Sequence, residues 1–251
     1  MKNKKRLDQI LVDKGFAQSR ERAKALIMSG NVVAEGYQNL KPGMNLSENI
    51  SIRLKKEDFP FVSRGALKLK EAVEQTSFDV KNLVCLDIGA STGGFTDYLL
   101  QNGAKKVFAV DVGYGQLSWK LRQDSRVIVF ERTNIRNMEF EEIGEKVDLC
   151  VCDTSFISLK IVMPAALKFL KPGCSVFALI KPQFEAQRHE VQKGGVVKDE
   201  IIHERIISDL KVFFSEQRLF SKNVVLSPIT GPKGNREYII QLTFSPEQNK
   251  K

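Results

Sequence analysis

The sequence predicts an α/β protein in which helices wrap a parallel sheet, preceded by a small basic α+β segment. Three observations carry this. Strand and helix signals alternate from Leu83 onward. The small-residue run Gly89-Ala90-Ser91-Thr92-Gly93-Gly94 joins the first of those strands to a helix. Charge and patterning change near Phe59-Pro60-Phe61, where Pro60 biases its predecessor towards extended backbone. Residues 1–58 hold twelve basic and seven acidic side chains, in a chain of 251 residues whose net charge is +9. The expected domains are 1–58 and 63–251, joined by 59–62.

In the first segment Leu7, Ile10 and Leu11 share one helical face, and Gly15 is placed to end that helix. Ser19 can cap a second helix with Ala23, Leu26 and Ile27 on its apolar side, and Gly30 ends it. Val32-Val33, the turns at Glu35-Gly36 and Lys41-Pro42-Gly43, and residues 50–54 predict short strands. In the second segment the expected strands are 83–88, 107–112, 127–130, 147–152, 175–181, 224–226 and 238–244, with a helix over 95–101. The last strand alternates as an edge-type antiparallel strand would. A polar tail follows from Pro246.

Hydrophobic residues make up 42% of the chain, including 16 Phe, which is enough for a sizeable core and argues against disorder. No apolar run reaches the length of a membrane span. The basic start leads into Leu7-Asp8-Gln9 and not into an apolar leader, so the expected location is the cytoplasm. The positive charge favours an anionic partner, nucleic acid before an acidic membrane surface. Cys85, Cys150, Cys152 and Cys174 lie in or beside strands and read as reduced core residues. Their spacing fits neither a redox nor a zinc motif, and with two histidines no metal site is expected.

The loop after the first strand permits close approach of a ligand, because glycine admits backbone that side chains block. It lacks both the G-x-G-x-x-G of dinucleotide enzymes and the Lys-Ser/Thr of a P-loop. Asp111, ending the next strand, can accept hydrogen bonds from both hydroxyls of a ribose. A lysine held neutral by a nearby cation or by desolvation can serve as a base, with carboxylates to orient it. Lys68, Asp153, Lys181 and Glu237 fall at strand or helix ends, where such a cluster could assemble.

These residues carry three resemblances. Arg6-Leu7-Asp8, Leu11, Gly15, Ser19-Arg20, Ala23, Ile27, Gly30-x-Val32 and Lys41-Pro42-Gly43 resemble the S4 RNA-binding domain. That resemblance implies phosphate contacts from basic residues, here Arg6, Arg20, Arg22 and Lys24, with Arg64 added from the larger segment. The run from Leu86 to Phe95 resembles motif I of class I S-adenosylmethionine methyltransferases, which implies a Rossmann-like sheet. It also implies that Gly89, Ser91, Gly93, Gly94 and Phe95 contact the methionine and sulfonium end. Asp111 would then hold the ribose, with Val112 beside the adenine and Asn134 at the adenine edge. Finally, Lys68, Asp153, Lys181 and Glu237 match the Lys-Asp-Lys-Glu tetrad of the FtsJ-type ribose 2′-O-methyltransferases.

The whole chain resembles the TlyA family, bacterial rRNA cytidine 2′-O-methyltransferases of which some carry the name haemolysin. The further matching motifs are Val62-Ser63-Arg64-Gly65, Asp153-x-Ser155-Phe156-Ile157-Ser158-Leu159, Lys181-Pro182-Gln183-Phe184-Glu185, Gly194-Gly195-Val196-Val197 and Gly234-Asn235-x-Glu237-Tyr238. The resemblance implies an enzyme using S-adenosylmethionine on ribosomal RNA or ribosomal subunits, with no membrane partner. Two other functions compete. One is a ribosome-binding or assembly factor without catalysis, which would need no such tetrad. The other is a pore-forming haemolysin, which would need an apolar or amphipathic run that is absent. Between Gln183 and Asp199 the sequence reads as a polar loop, either a lid or passive surface, with His189 exposed.

Overall fold

The computed structural model describes residues 4–17, 19–55 and 60–246. The expected boundary after residue 58, the start of the 59–62 linker and residues 247–251 of the tail lie outside the described residues. The chain divides into two compact units, Met1–Pro60 and Phe61–Lys251.

The smaller unit contains β1 (Lys4–Arg6), α1 (Leu7–Asp13), α2 (Arg20–Met28), β2 (Val32–Ala34), β3 (Asn45–Ser47) and β4 (Ile52–Leu54). Its core is Leu7, Ile10 and Leu11 of α1 against Ala23, Leu26 and Ile27 of α2, closed by Val32, Ala34 and Leu46. Ser19 caps α2 by accepting from Arg22 N–H at 3.2 Å. The strands form two antiparallel pairs, β1 with β3 and β2 with β4. Neither β1 nor β3 follows from periodicity. Lys4-Lys5-Arg6 has no apolar alternation and becomes a strand only by pairing.

The larger unit runs α3 (Ala66–Gln75), β5 (Val84–Ile88), α4 (Gly94–Gln101), β6 (Lys106–Val110), α5 (Trp119–Arg122), β7 (Val127–Phe130), α6 (Phe140–Ile143), β8 (Val147–Cys152), α7 (Leu159–Ala166), β9 (Leu170–Ile180), α8 (Pro182–Glu185), α9 (Glu200–Glu216), β10 (Leu219–Leu226) and β11 (Tyr238–Phe244). The sheet order is β10-β11-β9-β8-β5-β6-β7. From β9 to β7 all pairings are parallel, whereas β11 is antiparallel to both its neighbours. Strand β5 is buried throughout, as a central parallel strand should be.

One expectation is corrected here: β11 is antiparallel but not an edge. It is inserted between β10 and β9, so Ile240, Leu242 and Phe244 enter one core layer and Ile239 the other. Helix α9 was not expected, although Asp199 caps it and His203, Ile206, Leu210 and Phe214 mark its buried stripe. All four cysteines are buried and free.

Sheet order reverses at β5, so the crevice outside the carboxyl ends of β5 and β8 is the switch point where ligands bind in open α/β sheets. Parallel strands deliver the residues after β5, β6, β7, β8 and β9 to that one edge. Because β11 runs the other way, its start arrives there too, with Tyr238 opposite Ile180.

Candidate active site

A cavity of about 470 Å3 opens at this edge, walled by Gly89 and Ser91 after β5, Asp111 and Val112 after β6, Asn134 and Ile135 after β7, and Asp153 to Ile157 after β8. A second space of about 170 Å3 adjoins it, sharing Gly89, Ser91, Asp153 and Ser155 and adding Gly94, Phe95 and Lys181.

Asp111 is held in place by backbone. Its Oδ2 accepts from Ser91 N–H and its Oδ1 from Gly113 N–H, both at 2.7 Å. Each oxygen keeps a lone pair for a ligand hydroxyl. Asn134 Oδ1 accepts from Arg136 N–H and Nε–H, at 3.1 and 3.2 Å, leaving its amide N–H groups as donors. Val112 is 71% exposed on the cavity rim, so an apolar face is available to a ring. Asp87 lies below the loop, where its Oδ2 accepts from the Thr96 hydroxyl at 2.6 Å. Burial, only partly offset by that bond, pushes Asp87 up to about 7.

The loop glycines have different reasons. Gly89, at φ +83°, leaves no room for a Cβ, which would sit 2.5 Å from the Asp153 carbonyl oxygen. Gly94 clears Ser63 Oγ in the same way. Gly93, at φ +94°, leaves no room for a Cβ, which would strike Leu121 and Leu117. It serves the turn and packing of the loop.

Lys68, Asp153, Lys181 and Glu237 come together. Lys68, in the first turn of α3, donates to Glu237 Oε2 at 2.6 Å and lies 3.8 Å from Asp153 Oδ2. Lys181 Nζ is 2.6 Å from Asp153 Oδ1, an ion contact outside hydrogen-bond geometry, and donates to Ser155 Oγ at 2.8 Å. Lys68, Lys181 and Glu237 are buried. Two ammonium and two carboxylate groups compensate one another, which burial demands. Ser155, two residues after Asp153, joins the cluster with no role predicted for it by the sequence.

The segment before α3 is fixed by Asp97, whose Oδ2 accepts from Val62 N–H at 2.8 Å, and Arg64 is exposed. The 183–199 stretch is not a free loop. It begins with α8, and Glu185 accepts from Ser158 Oγ at 2.6 Å and Leu159 N–H at 2.8 Å, its carboxyl raised by burial. At its far end Asn235 accepts from Val197 N–H at 3.1 Å and donates to the Gly195 carbonyl at 2.9 Å. His203 Nε2 donates to the Val197 carbonyl at 2.9 Å. His189 is exposed.

In the smaller unit Arg6 and Arg20 do not project independently. Arg6 grips the buried Asp8 carboxylate at 3.0 and 2.8 Å, and Arg20 reaches the same group at 3.3 Å. The Arg6 guanidinium, joined by Arg20 and opposed by burial, holds Asp8 down to about 2. Both guanidiniums remain about half exposed, at 48% and 46%. Arg22 and Lys24 are partly buried along α2.

The profile of FtsJ-like methyltransferases matches residues 61–244, and that of the S4 domain matches residues 5–34. The chain is 43% identical to the Mycobacterium tuberculosis 16S/23S rRNA (cytidine-2′-O)-methyltransferase TlyA, over 96% of this chain and 91% of that one. It is 39% identical to Hemolysin A of Brachyspira hyodysenteriae, over 93% and 98% of the two chains. A solved structure of a hemolysin-named protein from Streptococcus thermophilus superposes with a TM-score of 0.75 at 40% identity, covering 98% of this chain and 90% of that one. With the S4 and FtsJ-like parts in the same order, and identity running through both, the chain belongs to the TlyA family of FtsJ-like methyltransferases.

Proposed function

We propose that the chain transfers a methyl group from S-adenosylmethionine to a ribose 2′-hydroxyl of ribosomal RNA, at cytidine, in the cytoplasm. The observation that carries this is a buried, charge-balanced Lys68–Glu237 and Asp153–Lys181 cluster beside a cavity suited to an adenosine. The fit to the cofactor rests on Asp111, whose fixed oxygens suit a ribose diol, and on the apolar rim at Val112 and Ile135. The cavity also falls within the roughly 300–1,000 Å3 of small-molecule sites.

When bound, S-adenosylmethionine supplies an electrophilic methyl carbon. Lys181 steers the 2′-hydroxyl proton as an ammonium or, after giving up its own proton, accepts it, while Asp153 and Ser155 fix the direction of its amine. Lys68, itself held by Glu237, stands 3.8 Å from the other Asp153 oxygen. Phe156, 90% exposed and 5.1 Å from the Phe184 ring, offers a face on which an unpaired base stacks. Arg6, Arg20, Arg22, Lys24 and Arg64 contribute phosphate affinity that falls with salt. Among the described residues no helix is long and apolar enough to cross a membrane.

The test is transfer of labelled methyl to purified 30S, 50S and naked rRNA, with the product mapped. A substrate carrying a single 2′-deoxy substitution at the mapped nucleotide should accept none. Methylation of its base would overturn the assignment of the acceptor.

A further inference from the structure

Glu237 is fully buried, and only one of its carboxylate oxygens is occupied. Its Oε2 accepts from Lys68, whereas Oε1 has no hydrogen-bond partner among the described residues. What stands beside Oε1 is Gly231. A Cβ built on that glycine would lie 2.0 Å from Glu237 Oε1, 2.6 Å from its Cδ and 3.3 Å from its Cγ.

The backbone does not explain a glycine here. Gly231 has φ −71° and ψ −173°, which any residue adopts. The turn that carries it is built by other groups. Gly231 N–H donates to the Asn235 carbonyl at 2.8 Å, and Asn235 is itself buried and bonded to Val197 and Gly195. The missing side chain is therefore a matter of space alone, and the space belongs to the carboxylate.

We propose that Gly231 is a positioning residue for the Lys68–Glu237 pair. It lets the Glu237 carboxylate occupy the one placement from which Oε2 meets Lys68 at 2.6 Å. A methyl group at 231 leaves the fold intact, because the obstructed atoms are the end of a flexible side chain. It displaces that end, and Lys68 loses the partner that sets its position beside Asp153. The inference rests on the tetrad reading above.

The experiment measures steady-state methyl transfer to ribosomal subunits for wild type, Gly231→Ala, Glu237→Asp and the double variant, with calorimetric S-adenosylmethionine affinity for each. Gly231→Ala should lower kcat about 10- to 100-fold, the scale of a misplacement near 1 Å, with KM and cofactor affinity unchanged. The shorter side chain in Glu237→Asp should make room for the added methyl. The double variant should then exceed Gly231→Ala by about threefold or more, a coupling of ordinary size for touching residues. Wild-type kcat in Gly231→Ala would overturn the proposal, as would strictly additive losses in the double variant. Failure of both Gly231→Ala and the double variant to fold would also overturn it, because the obstruction would then not be local to Glu237. A wild-type chain that methylates no ribosomal substrate would overturn the functional reading itself, and this inference with it.

Discussion

The Lys68 ammonium donates to Glu237 Oε2 at 2.6 Å, joining residues 169 positions apart in the chain. One stands in the first turn of α3 and the other just before β11, so the pair exists only when the sheet is complete. Removing one partner leaves a buried charge uncompensated, at about 3–5 kcal/mol. Glu237→Ala and Glu237→Gln should therefore both lower turnover and melting temperature, Glu237→Gln by less because its amide oxygen still accepts from Lys68. Calorimetric melting beside initial rates checks both; wild-type stability in Glu237→Ala would contradict the pairing.

Lys181→Ala should remove about 10²- to 10⁴-fold of turnover, the usual share of a general base, with little change in S-adenosylmethionine affinity. Lys181→Arg should not rescue it, because guanidinium stays protonated. Single-turnover methyl transfer with saturating cofactor gives the comparison. Full activity in Lys181→Arg would reduce the lysine to an electrostatic role.

Asp111→Ala should weaken S-adenosylmethionine binding by about 1.5–3 kcal/mol, the cost of hydrogen bonds to a charged group. Part of that loss comes from freeing Ser91 N–H and Gly113 N–H, which the carboxylate now holds. Gly93→Val should act differently, lowering stability through Leu117 and Leu121. Titration calorimetry and thermal melts should distinguish them, and wild-type affinity in folded Asp111→Ala would remove Asp111 from the binding site.

Asp8→Asn should destabilise the smaller unit at neutral pH by roughly 1–2.5 kcal/mol, allowing for solvent around the half-exposed arginines. The folded carboxyl sits near 2 against an unfolded value of 3.8. The depressed value means the stabilisation is complete above about pH 4–5 and fades as pH falls towards 2. The gap between wild type and Asp8→Asn, read by hydrogen exchange in α1 and α2, should close over that range. The same variant should weaken RNA binding by loosening Arg6 and Arg20, and a pH-independent gap would contradict the assignment.

Asn235→Ala should leave Val197 N–H and the Gly195 carbonyl unpaired, at about 1–3 kcal/mol each if they stay dry. Amide exchange across 190–199 should quicken while β8 and β9 stay protected. Unchanged exchange there would show that Asn235 does not pin the segment.

Local features of this protein were legible without the fold. Ser19 caps α2 because a short hydroxyl side chain reaches its own helix. The strands 127–130, 147–152 and 238–244 have their observed bounds because period and punctuation are local. The loop from Gly89 to Gly94 and the acid at Asp111 could be read because a strand, a turn and a helix follow one another in sequence. What tertiary structure alone decided concerns partners distant in the chain. It buried β11 between β10 and β9, tied Arg6 and Arg20 to Asp8, set Gly93 against Leu117 and Leu121, and closed Gly231 over Glu237. Short-range periodicity fixes which face of an element is apolar. It does not fix which distant side chain meets that face, and the geometry of Lys68, Asp153, Lys181 and Glu237 depends on that meeting.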